Sequence, residues 1–251
     1  MDAKELFDWV RANQANKRLT FVQVAAINNM LITMSPDFLQ EQLSLLMGWD
    51  VSSSKKLSKA DIIAVANDLN IEPAALKAVI DVEAAGNGFD NQGRPTILFE
   101  PHVFWGELGK IHYYTKRAEL QKSHPGILSP TWDKSLYRIG GSSHDKLKVA
   151  AELNWEAAHK SASWGLGQIL GRNAVSIGYP SVKAFIDDMY ESEAKQLKAM
   201  GMFLKANGLI SKLYRHDWAG FARGYNGSAY AKNQYDVKLA NAYKLAKRQG
   251  W

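Results

Sequence analysis

Cysteine is absent from all 251 residues. That removes a disulfide framework, a thiolate metal site and a cysteine nucleophile from consideration. No stretch approaches the ~18 consecutive apolar residues of a membrane span, so stable membrane insertion is not expected. The N-terminus, Met-Asp-Ala-Lys-Glu-Leu-Phe-Asp-Trp-Val, lacks a basic region followed by an apolar run, and no secretory leader is expected there. The six histidines are scattered, without H-E-x-x-H or any paired-ligand spacing, so neither a metal nor another cofactor is anticipated. A G-x-S-x-G elbow, a Walker loop, and helix-turn-helix or zinc-finger signatures are also missing. Serine-hydrolase, nucleotide-hydrolysing and nucleic-acid-reading functions thereby lose their usual support. Neither an internal repeat nor a low-complexity tract is present.

What remains is a chain long enough for one large domain or a domain with a small appendage. Its composition, 46% apolar and 22% charged, is that of a globular protein. The net charge of +6 is unevenly placed. Six basic and six acidic residues balance up to Lys56, and the remaining 25 basic against 19 acidic residues carry the whole excess. Attraction to a polyanion follows, with nucleic acid, anionic lipid and the acidic peptide stems of peptidoglycan all qualifying.

Periodicity predicts a mainly α protein with one small β-hairpin. Residues 1–50 read as a small helical domain: Leu6, Trp9 and Val10 form one stripe, Thr20 precedes a second helix, and Ser35-Pro36 opens a third. Residues 51–56 are polar and turn-rich, a linker. A second domain, 57–251, opens on Ser58-Lys-Ala-Asp61, a capping-box pattern. Glu72-Pro73 restarts the chain into a further helix. Turn-forming Asp90-Asn-Gln-Gly93 ahead of Thr96-Ile-Leu-Phe99 predicts the hairpin. Residues 110–144 read as irregular, and from Asp145 the pattern is helical almost to the end.

Glu83 carries the chemical argument. In a helix Leu76, Val79, Ile80 and Glu83 fall at i, i+3, i+4 and i+7, one face. A carboxylate on an apolar stripe is costly, because burial disfavours its charged form. The position suits a carboxylic acid that keeps its proton near neutral pH and delivers it, as glycosidic cleavage requires. The competing reading is a carboxylate paired with a nearby Arg or Lys. Water activation calls for a second carboxylate, and Glu100 leads, at the end of the short strand and beside His102, which could orient it. Asp90 comes next, and the competing reading of Glu100 is a salt bridge to Arg94 across the hairpin. Asp81 points away from the Glu83 face.

Two further segments offer binding groups. In the glycine-rich run 161–173, Trp164 can stack on a sugar face and the Gln168 amide can bind hydroxyl or acetamido groups. A packing seam explains the same glycines, whereas the spacing does not fit a dinucleotide loop. In 217–228, Tyr225 and Asn226 place a phenol and an amide at a helix end, which also reads as an ordinary C-cap.

Taken together, these segments resemble the phage-type N-acetylmuramidases, peptidoglycan hydrolases with a lysozyme-like domain. The matching parts are 76–86 with Val82-Glu83, then 93–102, 162–169, 217–227 and 235–239, in that order, over roughly 57–251. A helix-ending Glu, a Ser-x-Gly-x-x-Gln-like stretch and a late Tyr-Asn also resemble, more distantly, goose-type lysozymes and lytic transglycosylases. The resemblance implies an endolysin cleaving the β-1,4 bond between N-acetylmuramic acid and N-acetylglucosamine and so lysing the host cell. Glu83 would be the general acid, and Gln168, Tyr225 and Asn226 would line the cleft. It further implies a monomer held in the host cytoplasm until a holin admits it to peptidoglycan in the periplasm. The N-terminal domain would bind cell wall, although it lacks the glycine repeat of the commonest such module. Two alternatives stand: a lytic transglycosylase making a 1,6-anhydro product, and a basic protein that holds cell wall without cutting it.

Overall fold

The computed structural model describes residues 55–84, 87–111 and 116–251. The predicted domain 1–50 and most of the linker 51–56 lie outside the described residues. Residues from Lys55 to Trp251 form one compact unit, mainly α with one small antiparallel sheet, as the sequence predicts.

Helix α1 (Lys59–Asp68) begins at the expected capping box, with Ser58 Oγ accepting from the Asp61 amide and the Asp61 carboxylate accepting from the Ser58 amide. Helix α2 (Pro73–Glu83) starts with Pro73 in its first turn, where no amide is needed. It buries Ala74, Ala75, Leu76, Ala78, Val79 and Ile80 and ends at Glu83. Strand β1 (Ile97–Phe99) leads into α3 (Pro101–Lys110), whose N-cap is Glu100. The stretch read as irregular contains α4 (Arg117–Ser123) and a 3₁₀ turn at Lys134–Arg138. Helices α5 (Ser143–Leu153) and α6 (Trp155–Lys160) meet at Asn154, which ends one and caps the other.

The run 162–170 is where the helical reading fails. It forms β2 (Ala162–Trp164) and β3 (Ile169–Leu170), and β2 is the centre of a three-stranded sheet ordered β1-β2-β3. The register sets Ile97 opposite Trp164, Leu98 opposite Ser163 and Phe99 opposite Ala162. Phe99, Ala162, Trp164 and Ile169 are buried on one face, while Leu98, Ser163 and Leu170 share the open face. The predicted hairpin turn is present: Gly93 donates to the Asp90 carbonyl and Phe89 bridges Pro95. The partner of β1, however, is β2, more than 60 residues on.

Helices α7 (Val182–Glu191), α8 (Glu193–Ala206), α9 (Ile210–Tyr214), α10 (Trp218–Asn226) and α11 (Tyr235–Arg248) complete the unit. Helix α2 packs most extensively on α11. The C-terminal Trp251 closes that end, its ring 4.7 Å from Lys59 Nζ and 5.5 Å from Lys77 Nζ. Among the described residues no helix is long and apolar enough to cross a membrane.

Two buried polar side chains on α8 hold the segment after α2 to the sheet. Gln196 Nε2 donates to the carbonyls of Gly88 (3.1 Å) and Met189 (2.8 Å), and its Oε1 accepts from the Leu166 amide (2.9 Å). Glu193 accepts from the amides of Gly88 (2.9 Å) and Leu57 (2.8 Å). The approach is so close that a Cβ on Gly88 would lie 2.1 Å from Gln196 Oε1, and one on Gly165 2.7 Å from Gln196 Cδ. Glycine at 88 and 165 is therefore a packing requirement.

Gln196→Leu keeps the volume but strands two carbonyls and an amide in the interior. It is expected to cost about 3 kcal/mol in urea unfolding, since each buried unsatisfied group costs roughly 1–3 kcal/mol. A loss below ~1 kcal/mol would show that these bonds are dispensable.

Candidate functional site

Glu83 is the last residue of α2, on the stripe that carries Leu76, Val79 and Ile80 into the core. Its carboxyl is half-buried and, among the described residues, not ion-paired; there its one hydrogen bond comes from Asn226 Nδ2, at 2.8 Å to Oε2. Asn226 is the last residue of α10, so two helix ends present an acid and an amide to each other. Glu83 Oε1 and Asn226 Oδ1 are buried and unpartnered. Two neighbouring acceptors with spare capacity are what a ligand hydroxyl or an ordered water completes.

Burial pushes the Glu83 carboxyl above its ordinary range; the Asn226 hydrogen bond and the more distant Lys238 charge pull it back only in part. Its place at the C-terminal end of α2 acts in the same direction as burial, because the helix dipole disfavours negative charge there. Next to Asn226, Tyr225 donates its phenol to the Gly167 carbonyl at 3.0 Å and packs on Phe203 and Phe221. Burial and the Glu83 charge both push the Tyr225 phenol up, so it stays a neutral donor.

Gln168 is exposed, with φ +45°, and folds its amide onto the carbonyls of Gly165 (2.9 Å) and Thr96 (3.3 Å). It pins the β2–β3 turn to the start of β1. The order Glu83–Asn226–Tyr225–Gly167–Gln168–Thr96 thus sets the acid at the Thr96 end of the sheet. Four predicted residues, Glu83, Gln168, Tyr225 and Asn226, are brought together.

Glu100 lies at the other end of β1. Four residues beyond Thr96 is about 13 Å of extended chain. By alternation it shares the open sheet face with Leu98. Tyr137 donates its phenol to Glu100 Oε2, and His102 Nδ1 stands 3.5 Å from the same oxygen. His102 is therefore a neighbour of Glu100, but the hydrogen-bond donor to it is Tyr137, which the sequence does not single out. Lys146, itself 2% exposed, holds that 3₁₀ turn by donating to the Leu136 carbonyl at 2.6 Å. The Arg94 pairing considered for Glu100 is instead made with Asp90.

Two expectations are corrected. Trp164 offers no face to a sugar: it is fully buried, with its indole N–H donating to the His159 carbonyl at 3.1 Å. The register turns it to the core face of β2, so it is packing. Asp90 is not a free binding group either. One oxygen accepts from the amides of Gln92 and Arg94, and the other from the Arg94 guanidinium. Burial raises its pKa, but those bonds outweigh burial and hold the carboxyl below its usual range. Asp90 is the turn's own staple.

A raised carboxyl pKa is a stability statement. Glu83 favours the folded state fully below its unfolded pKa, and that contribution is lost as pH rises through the folded value. Glu83→Gln removes the burdened charge. The variant is expected to be more stable than the parent at pH 7, with the difference vanishing below pH ~4, where both side chains are neutral. Parallel thermal unfolding at the two pH values measures this, and equal Tm values at pH 7 would contradict a raised pKa.

The family model for N-acetylmuramidase matches residues 72–247, a span that contains Glu83, Glu100, Gln168, Tyr225 and Asn226. Among solved structures, the endolysin of Burkholderia phage AP3 is similar, with 35% sequence identity and a TM-score of 0.67 over 77% of this chain and 73% of that one. No curated protein matches. A model match over more than two-thirds of the chain, spanning the helix-end acid and its amide partner, places this protein in the N-acetylmuramidase family.

Proposed function

We propose that the protein is a peptidoglycan-cleaving endolysin in which Glu83 is the general acid for the β-1,4 bond between N-acetylmuramic acid and N-acetylglucosamine. The supporting observation is the state of one side chain: a half-buried helix-end carboxyl that, among the described residues, has no cation paired with it and one oxygen without a partner, and whose pKa is pushed up by burial. A protonated Glu83 gives its proton to the bridging oxygen as the C1–O bond breaks. Positive charge develops on the ring as an oxocarbenium-like transition state. Water then adds to C1 and loses a proton. The Asn226 amide, which donates to the ionised carboxyl, stabilises Glu83 after it has given up its proton.

Glu100 is the proposed second carboxylate. Tyr137 fixes one of its oxygens, leaving the other to orient water or to face the developing charge across the open sheet face. Its distance along β1 from the Glu83 end also supports a second reading. A single glutamate can serve as acid and then base, with the sugar's own C6 hydroxyl replacing water and yielding a 1,6-anhydro end.

Glu83→Gln is expected to lower lysis of outer-membrane-stripped cells by several orders of magnitude, with folding intact; full activity would remove Glu83 from the mechanism. Mass spectrometry of digested sacculi separates the two routes, reducing ends meaning hydrolysis and 1,6-anhydro ends transglycosylation. In the hydrolytic route Glu100→Gln is expected to lower kcat about a hundredfold or more, the scale of one general base. An unchanged kcat would leave Glu83 acting alone.

A further inference from the structure

Beside the acid lies a stretch whose charges the cleavage chemistry does not use. Residues 223–238 run from the last turn of α10, through the 3₁₀ turn Ser228–Asn233, into the first turn of α11. They hold Arg223, Lys232 and Lys238 against one carboxylate, Asp236. All three cations are exposed, and none is ion-paired among the described residues. Other described cations, among them Lys122, Lys198, Lys205 and Lys244, also lack a carboxylate within 4 Å; what sets these three apart is their place in the chain beside the acid's partner Asn226.

Two of the three are held in place all the same. The Arg223 guanidinium lies 5.7 Å from the Tyr230 ring centroid, and Lys238 Nζ lies 5.3 Å from that of Tyr235. Cation–π contacts position a charge without neutralising it, so both remain available to an external anion. Arg223 is three residues before Asn226 on the same helix, which makes the two neighbours on its surface. Lys238 is near enough to Glu83 to act on its carboxyl through space.

The substrate has an anion in the matching place. The peptide stem of peptidoglycan hangs from the muramic acid whose glycosidic bond is cut, and it carries free carboxylates. A cation within about a Debye length of the general acid, ~8 Å at physiological salt, is within reach of that stem. We propose that Arg223 and Lys238, with Lys232 between them, form a rim that binds the carboxylates of the peptide stem, making this enzyme selective for peptide-bearing, negatively charged glycan. The inference rests on the muramidase reading above and adds a specificity site to it.

The test compares two substrates that differ only in charge: purified peptidoglycan, and the same material with its stem carboxylates converted to amides by carbodiimide and ammonia. The parent enzyme is expected to favour the charged substrate about tenfold in kcat/KM, mainly through KM. Two exposed ion pairs contribute on that scale. The preference should shrink as salt rises. In the Arg223→Gln/Lys238→Gln double variant the ratio of the two kcat/KM values is expected to fall toward one. A parent enzyme that turns over both substrates equally would overturn the proposal. So would a double variant that keeps the parent's ratio, including one slowed on both substrates alike through loss of structure. Cleavage of the amidated substrate keeps the muramidase reading standing in either of those cases, whereas cleavage of neither substrate by the parent would remove both.

Discussion

A carboxyl group at the end of a largely apolar helix sets the terms for the rest of this domain. Burial and the end of the α2 dipole both work against its charge, while a single amide hydrogen bond and a distant lysine work for it. The balance leaves Glu83 protonated over a wider pH range than an ordinary glutamate. Each contributor has structural consequences. Burial requires α2 to be seated on α11 along its whole apolar stripe. The amide requires α10 to end at Asn226, which the left-handed turn at Gly227 accomplishes.

The cost of holding an acid in this state falls on the fold, and α8 offsets much of it. Beyond the apolar helix, Gly88 is gripped at both its amide and its carbonyl by Glu193 and Gln196. The same Gln196 takes the Leu166 amide in the β2–β3 turn. One helix therefore fixes both the exit of the acid's helix and the turn whose Gly167 carbonyl anchors Tyr225. The segments on either side of Glu83 and Tyr225 are thus tied together by a buried polar pair, the kind of supporting shell a preorganised site needs.

How much of this was legible in the sequence depends on how far apart the interacting residues lie along the chain. Glu83 was readable because its cue is a seven-residue period. The capping boxes at Ser58 and Ser142 and the Asp90–Gly93 turn are equally local. The sheet was not, because β1 pairs with a three-residue strand more than 60 residues later, and Ala-Ser-Trp is too short to show alternation. Missing β2 is what made Trp164 look like a sugar platform, since only the register with Ile97 turns its ring inward. Glu193 and Gln196 sit on a helix of ordinary polarity, and their partners are 105 and 108 residues away. Tyr137, which holds Glu100, lies in a stretch with no periodicity at all. The Tyr225-Asn226 pair was found because helix ends are punctuated by residue type, yet its geometry relative to Glu83 needed α10 packed on α11.

The basic rim and the protonated acid are in electrostatic conflict, and the conflict limits where the rim can be. A lysine in contact with Glu83 would form an ion pair and abolish the raised pKa, as Arg94 does for Asp90 at 2.8 Å. A lysine several Debye lengths away would not sense the stem of the sugar being cut. The Lys238 charge draws the Glu83 pKa down, ranking below both burial and the Asn226 hydrogen bond. Lys238 lies over the Tyr235 ring and Arg223 over the Tyr230 ring, contacts that position both cations and leave them charged. When an anionic stem binds, it screens that pull, and the Glu83 carboxyl moves further toward its protonated form. In the proposed reading, binding of the stem at the rim would favour protonation of Glu83, since the stem carboxylates would offset the Lys238 charge that draws its pKa down.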